Sequence, residues 1–84
     1  MDITRELLRS YLGKTFDLDV ESIDDGTKLF SDGLLDSFSV ADLLLFIEEQ
    51  GNFVVEPEEV IFDNLDTIGN ILAYARRKGE EAAG

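Results

Sequence analysis

Residues 33 to 50 read GLLDSFSVADLLLFIEEQ, a short loop that runs directly into a strongly apolar and acidic segment. Successive residues of an α-helix are rotated by about 100°, which places side chains three and four positions apart on one face. One face of this segment is apolar and consists of Val40, Leu43, Leu44 and Ile47. Gly51 and Asn52 are typical helix-terminating residues, so the sequence predicts a core-packing helix from about Ser37 to about Gln50.

The opposite face of this second helix combines large apolar side chains with carboxylates. It consists of Phe38, Asp42, Leu45 and Glu49, flanked by Ala41 and Glu48. One interpretation is a central helix that is buried nearly all round. Burying these carboxylates without partners would be costly, however, and the sequence offers few cations nearby. We therefore favour an exposed docking surface for a protein partner.

The N-terminal flank predicts a first helix and a long loop. Apolar residues follow helical spacing at Ile3, Leu7, Leu8, Tyr11 and Leu12. With Asp2 as the N-cap, they predict a helix from about residue 3 to about residue 15. Residues 17 to 36 carry several Asp and two Gly between scattered apolar residues, which predicts a long ordered loop. We expect the core to hold this loop through Val20, Ile23, Leu29, Phe30 and Leu34.

The C-terminal flank predicts two further helices. Pro57 opens a short one with the sequence PEEVIF, because proline favours the first position of a helix. Thr67 is the predicted N-cap of the last helix, and Gly79 its predicted end. The apolar face of that helix consists of Ile68, Ile71, Leu72 and Ala75. The predicted organisation is one all-α domain at residues 1–79, followed by a disordered acidic tail at residues 80–84.

Composition excludes several functions. The 84 residues contain neither cysteine nor histidine, so disulfides, thiolate metal sites and the commonest general base are absent. The net charge is −12, and residues 29–75 contain ten Asp or Glu but no Lys or Arg. Such a chain repels nucleic-acid phosphates and anionic lipid. No signal peptide or membrane-spanning segment is evident. We expect a soluble, cytoplasmic monomer that binds no nucleic acid and no membrane.

The Asp36–Ser37 pair admits three roles at the start of the second helix. Either Ser37 or Ser39 could cap the helix. A nucleophilic serine would need an adjacent base, and with no histidine, no lysine nearby and only the weakly basic Asp36, catalysis by this chain is not expected. Alternatively, Ser37 could receive a phosphate-bearing group from another enzyme, because a helix N-terminus favours a phosphate. Capping and attachment both remain open on this local pattern.

Two long segments resemble one known family, the acyl carrier and peptidyl carrier proteins. TKLFSDGLLDSFSVADLLLFIEEQ, residues 27–50, is similar to their loop, Asp-Ser pair and acidic helix. FVVEPEEVIFDNLDTIGNILAYARRK, residues 53–78, is similar to their third and fourth helices. The resemblance covers about residues 3–78. It implies a right-handed four-helix bundle with a long loop between the first two helices and a short third helix.

The resemblance also implies a prosthetic group. A phosphopantetheinyl transferase would move 4′-phosphopantetheine from coenzyme A to the Ser37 hydroxyl, and Asp36 would help to orient that reaction. An adenylating ligase or acyltransferase would then load acyl or aminoacyl groups onto the thiol as thioesters. Downstream biosynthetic enzymes with basic patches would dock on the acidic helix. The docking residues implied are Phe38, Ala41, Asp42, Leu45, Glu48 and Glu49.

Phe38 departs from the Leu or Met that many family members have after the serine. The run LLDSF, residues 34–38, is similar to that of D-alanyl carriers and other discrete carriers loaded by adenylating ligases. We therefore expect a freestanding carrier in a specialised pathway of the polyketide or nonribosomal peptide type. Two other functions remain: an unmodified acidic adaptor that docks through the second helix, and a calcium-binding module suggested by residues 17–26 and 31–36. No register of these segments supplies a complete EF-hand loop.

Overall fold

The computed structural model describes residues 3–83, with side chains described as far as Glu81. Within that range the chain forms four α-helices and two short 3₁₀ helices, which confirms the predicted all-α fold. The α-helices are α1 at Arg5–Phe16, α2 at Ser39–Gly51, α3 at Phe62–Leu65 and α4 at Ile68–Ala83. The 3₁₀ helices occupy Val20–Ser22 and Pro57–Glu59. No helix in this part of the chain is both long enough and apolar enough to cross a membrane.

Helix α4 contacts each of the other three α-helices, so the core lies along it. The side chains that are almost completely buried are Leu8, Leu12, Leu29, Leu43, Ile47, Ile68, Ile71 and Tyr74. Burial of a large apolar side chain stabilises a fold by about 1.5–3 kcal/mol. Leu43 and Ile47 occupy the core as predicted for the second helix, whereas Val40 and Leu44 are half-buried at its margin.

Side-chain caps set the starts of two helices. The Thr4 hydroxyl accepts a hydrogen bond from the Leu7 N–H at 3.1 Å, so Thr4 is the N-cap of α1. The predicted cap, Asp2, lies outside the described residues. The Thr67 hydroxyl accepts from the Asn70 N–H at 2.9 Å and caps α4 as predicted. Each hydroxyl satisfies an N–H group that has no partner within its helix.

The prediction that Gly79 ends the last helix is wrong, because α4 continues through it to Ala83. Gly79 does not adopt the positive φ that is typical of a terminating glycine. An interior glycine costs a helix only about 1 kcal/mol, which the helix-forming residues after it can offset. Residues 80–83, predicted to belong to a disordered tail, form the last turn of α4, and Gly84 lies outside the described residues.

The long loop between α1 and α2 is held by buried apolar side chains, but not by the full set predicted. Ile23 and Leu29 are buried, whereas Leu34 is exposed and Leu35 takes its place in the core. A turn explains this difference: the Gly33 N–H donates to the Phe30 carbonyl at 3.1 Å, and Gly33 has a φ of 80°. That conformation favours glycine, and it redirects the chain so that Leu35, two residues later, points into the core.

Two arginines of α1 hold the first part of the loop. The Arg9 guanidinium donates to the carbonyl oxygens of Val20 and Ile23, the latter at 2.9 Å. The Arg5 Nε atom donates to both carboxylate oxygens of Asp25, at 2.9 and 2.8 Å. The Asp25 carbonyl in turn accepts from the Gly69 N–H at 3.0 Å, which connects this part of the loop to α4.

A buried carboxylate holds the last part of the loop. Asp66, which is 3% exposed, lies between α3 and α4. Its Oδ1 atom accepts from the N–H groups of Phe30 at 2.7 Å and Ser31 at 3.0 Å. Its Oδ2 atom accepts from the Ser31 hydroxyl at 2.5 Å. The Asp66 carbonyl accepts from the Leu29 N–H at 2.6 Å, so one residue fixes three successive loop residues.

The pKa of the Asp66 carboxyl lies below its usual value. Burial raises this pKa, but the hydrogen bonds from Ser31 and Phe30, together with the charge of Lys28, outweigh burial. A carboxyl whose pKa is lower in the folded state stabilises the fold fully above its unfolded pKa, which is near 4. This stabilisation is lost as the pH falls through the folded-state pKa.

We therefore expect Asp66→Asn to be less stable than the wild type at pH 7, because the variant lacks the ionised acceptor. Below about pH 4 the difference in unfolding free energy should shrink, because the Asp66 carboxyl of the unfolded wild type takes up a proton first, followed by that of the folded protein. Urea denaturation of both proteins across a series of pH values measures this difference. A difference that stays constant down to pH 3 would contradict the assignment.

Candidate functional site

Asp36 closes the turn that leads into α2. Its Oδ1 atom accepts hydrogen bonds from the N–H and the hydroxyl of Ser39, each at 3.0 Å. Its carbonyl accepts from the same N–H at 3.1 Å. Phe38, which directly precedes the helix, provides no side-chain cap. Asp36 therefore performs the capping role that the sequence left open between Ser37 and Ser39, and α2 begins two residues later than predicted.

Ser37 is exposed in the middle of this turn. The side-chain hydrogen bonds of the turn join Asp36 to Ser39 and leave the Ser37 hydroxyl uncommitted among the described residues. Because the Asp36 oxygen that accepts these bonds is directed to Ser39, the turn does not pair Ser37 with a base. Its geometry is that of a presented hydroxyl and not that of an activated nucleophile.

The position of Ser37 suits a phosphate ester. The first N–H groups of a helix have no intrahelical partners, and the helix dipole places partial positive charge at that end. Ser37 lies two residues before the first residue of α2, a 13-residue helix. A phosphate on its hydroxyl could therefore interact favourably with this end of the helix. The exposed hydroxyl also leaves such a group open to solvent.

The outer face of α2 is open to solvent, so the alternative of a helix buried all round is wrong. Phe38 is 86% exposed and Leu45 is 56% exposed. We define the α2 outer face by its exposed members, Phe38, Ala41, Asp42, Leu45 and Glu49. This face combines two large apolar side chains with two carboxylates.

Glu48, the remaining predicted docking residue, has a role within the fold. Its Oε2 atom accepts a hydrogen bond from the Val55 N–H at 2.9 Å, and the residue is half-buried. Asn52, with a φ of 57°, ends α2 in a left-handed conformation that turns the chain back along the helix. The returning segment thereby reaches the side of α2 on which Glu48 lies, so this carboxylate is partly committed to the link between α2 and α3.

The structure shows a second exposed apolar surface that the sequence analysis missed. Residues 60–62 were predicted to belong to one short helix, but a break separates Pro57–Glu59 from α3. This break leaves Ile61 and Phe62 exposed, the latter at 61%. The Phe62 ring stacks on that of Phe30, with centroids 6.5 Å apart. The unbroken apolar run VIF, which does not follow helical spacing, was the available signal.

Two acids of residues 17–26, the first segment considered for calcium, are used in internal contacts. Asp24 accepts from the Gly26 N–H at 2.9 Å and from the Thr27 hydroxyl at 3.1 Å. Asp25 is paired with Arg5, whose hydrogen bond and, to a smaller extent, charge lower the pKa of the Asp25 carboxyl. Over the described part of the chain, no group of three or more carboxylates is placed to hold a metal ion. These contacts give the calcium-binding alternative no support.

Comparison with known proteins identifies the family. A family model described as "Phosphopantetheine attachment site" matches residues 6–75, which include the turn at Asp36–Ser39. The chain is also 34% identical over 50 residues to a D-alanyl carrier protein of Abiotrophia defectiva. That match covers 60% of this chain and 63% of the relative. The chain therefore belongs to the phosphopantetheine-attachment family of carrier proteins, which hold 4′-phosphopantetheine covalently, and the predicted resemblance is confirmed.

Stability measurements can test which residue caps α2. We expect Asp36→Ala to lower the unfolding free energy by about 0.5–2 kcal/mol, because it removes the acceptor for the Ser39 N–H. Ser37→Ala should change it by less than about 0.5 kcal/mol, since its hydroxyl makes no contact in the turn. Urea denaturation at pH 7 measures both variants. A larger loss in Ser37→Ala than in Asp36→Ala would contradict the assignment.

Proposed function

We propose that Ser37 carries the 4′-phosphopantetheine, and that the protein holds acyl or aminoacyl groups for presentation to partner enzymes. The observation that carries this proposal is the exposed, uncommitted hydroxyl at the start of α2, inside the range that matches the family. When bound, the arm supplies a terminal thiol that forms thioesters. It thereby provides the reactive sulfur that the chain, which has no cysteine, does not contain.

The residues beside Ser37 support this role through their own contacts. Asp36 holds the turn through Ser39, so the direction of the Ser37 hydroxyl does not depend on a contact of its own. We infer that Asp36 orients the serine for a phosphopantetheinyl transferase in this way. The start of α2 can stabilise the phosphate charge. In this proposal the chain is a substrate and carrier for other enzymes and not a catalyst.

An aminoacyl group is the cargo that the comparisons favour. The relative is named a D-alanyl carrier protein, and the run LLDSF independently resembles that of such carriers. An adenylating ligase would then load the arm. The match spans less than two thirds of the relative, so this cargo and this loading enzyme come to the present chain as proposals. A specialised pathway of the polyketide or nonribosomal peptide type would use the same loaded arm.

The α2 outer face is the proposed docking surface for these enzymes. Phe38 and Leu45 offer apolar contacts, while Asp42 and Glu49 offer negative charge. A basic patch with an apolar pocket would complement such a face. Because the face begins one residue after Ser37, docking would bring the arm close to the partner's active site.

Attachment can be tested by measuring intact mass. The protein is incubated with coenzyme A, magnesium and a promiscuous phosphopantetheinyl transferase. The wild type should gain one phosphopantetheine and Ser37→Ala none, because only Ser37 presents its hydroxyl in the turn. Ser39→Ala is the matched control and should still gain the group, since its N–H still donates to Asp36.

Circular dichroism establishes that each variant is folded before its mass is compared. Modification of Ser37→Ala would show that another residue accepts the group. No gain in a folded wild type would reject the carrier function and leave the unmodified adaptor, which shares the α2 outer face, as the remaining function.

Docking can be tested with a charge reversal. We expect Glu49→Lys to raise the KM of the transferase for this protein by roughly three- to tenfold with kcat little changed, because it weakens binding to a basic partner. Glu21→Lys is the matched control, since it makes the same change of charge at an exposed position before α2. The difference between the two variants should decrease at high salt. Equal effects of both would contradict docking through α2.

A further inference from the structure

The position of Asp66 is set by two helices before it contacts the loop. Its own N–H donates to the Phe62 carbonyl at 2.9 Å, which makes it the C-terminal residue of the α3 turn. The next residue, Thr67, caps α4 through its own hydroxyl. The Asp66 side chain therefore caps neither helix, and both of its carboxylate oxygens are available to a segment more than 30 residues earlier.

The burial of this carboxylate restricts where the loop can lie. At 3% exposure, Asp66 cannot exchange its partners freely for water. A buried carboxylate without hydrogen bonds is strongly unfavourable, so the N–H groups of Phe30 and Ser31 and the Ser31 hydroxyl must stay in place. A shift of the loop would leave the buried carboxylate without its donors. The contact thus specifies one position for residues 29–31.

The segment from this anchor to Ser37 is short and internally closed. The Leu35 N–H donates to the Leu29 carbonyl at 2.8 Å, and both leucine side chains are buried. Leu35 is followed directly by the Asp36 turn. Two hydrogen-bonded turns, one closed between Leu29 and Leu35 and one at Asp36, therefore connect the residues held by Asp66 to Ser37.

We propose that Asp66 is a positioning residue for Ser37, in that it sets where the hydroxyl stands when a transferase engages the α2 outer face. The inference rests on the proposed attachment at Ser37 and adds a residue from the α3–α4 junction to it. Among the residues that the structure describes, the Ser37 hydroxyl makes no hydrogen bond that could define its position by itself. Loss of the Asp66 contact would let the loop move while α2 and its outer face remain formed.

The test is the steady-state kinetics of transfer from coenzyme A to Asp66→Ala, Asp66→Asn and Ser31→Ala. Misplacement of a reacting group by about 1 Å can reduce a rate by about a hundredfold. We expect kcat to fall roughly tenfold or more in Asp66→Ala and a few-fold in Ser31→Ala, with Asp66→Asn in between because its amide oxygen still accepts N–H bonds. The KM should change little, because the docking face is intact.

Tyr74→Phe is the control for a general loss of stability. The Tyr74 hydroxyl donates to Glu59 at 3.1 Å, so this variant removes a tertiary hydrogen bond of α4 that does not contact the loop. Its kcat should equal that of the wild type. Amide hydrogen exchange gives a second readout: Phe30 and Ser31 should exchange faster in Asp66→Ala, while the amides of α2 should keep their protection.

The outcomes separate this inference from the proposed function. A normal kcat in folded Asp66→Asn and Ser31→Ala would overturn the positioning role, while modification of the wild type at Ser37 would still support attachment. Equal losses of kcat in Tyr74→Phe and Ser31→Ala would also overturn it. If Asp66→Ala fails to fold, the other two variants decide. A folded wild type that accepts no group would overturn both proposals.

Discussion

The loop between α1 and α2 has almost no regular secondary structure, and hydrogen bonds with side chains of α1 and of the α3–α4 junction hold it in place. The most buried of these contacts is the carboxylate of Asp66, which binds three donors from Phe30 and Ser31. It accepts hydrogen bonds from backbone N–H groups that folding partly removes from water, and it joins this part of the loop to the α3–α4 junction. The position of the segment from Ser31 to the start of α2 therefore depends on this contact.

The side chains of the Asp36–Ser39 turn point in different directions and have different roles. Asp36 turns towards Ser39 and satisfies the start of the helix, whereas Ser37 and Phe38 face solvent. The capping contact therefore leaves the serine available. Under the proposed attachment at Ser37, the residue that is modified would therefore not also hold the helix in place.

A second carboxylate holds the link between α2 and α4. The Glu59 Oε1 atom accepts from the Glu56 N–H at 2.9 Å, the Tyr74 hydroxyl at 3.1 Å and the Lys78 ammonium at 3.0 Å. Burial and the Glu59 charge raise the pKa of the Tyr74 hydroxyl, so it remains a donor. The α1–α2 loop and the segment between α2 and α3 are thus each attached to α4 or to its start through a carboxylate. Some of the acidic residues of this chain therefore stabilise the fold, in addition to those that only make its surface negative.

The sequence by itself determined the helical class, the amphipathic second helix with its open acidic face, and the resemblance to carrier proteins. These features depend on local spacing, which is fixed by the 3.6-residue period of the helix and by the short Asp-Ser motif. Tertiary structure alone decided that Leu35 and not Leu34 is buried and that Glu48 binds Val55. It also placed Asp66 against Ser31, a contact across 35 residues that no periodicity can indicate. Such contacts depend on how the helices pack, because a carboxylate finds its donors only after the core has brought distant segments together.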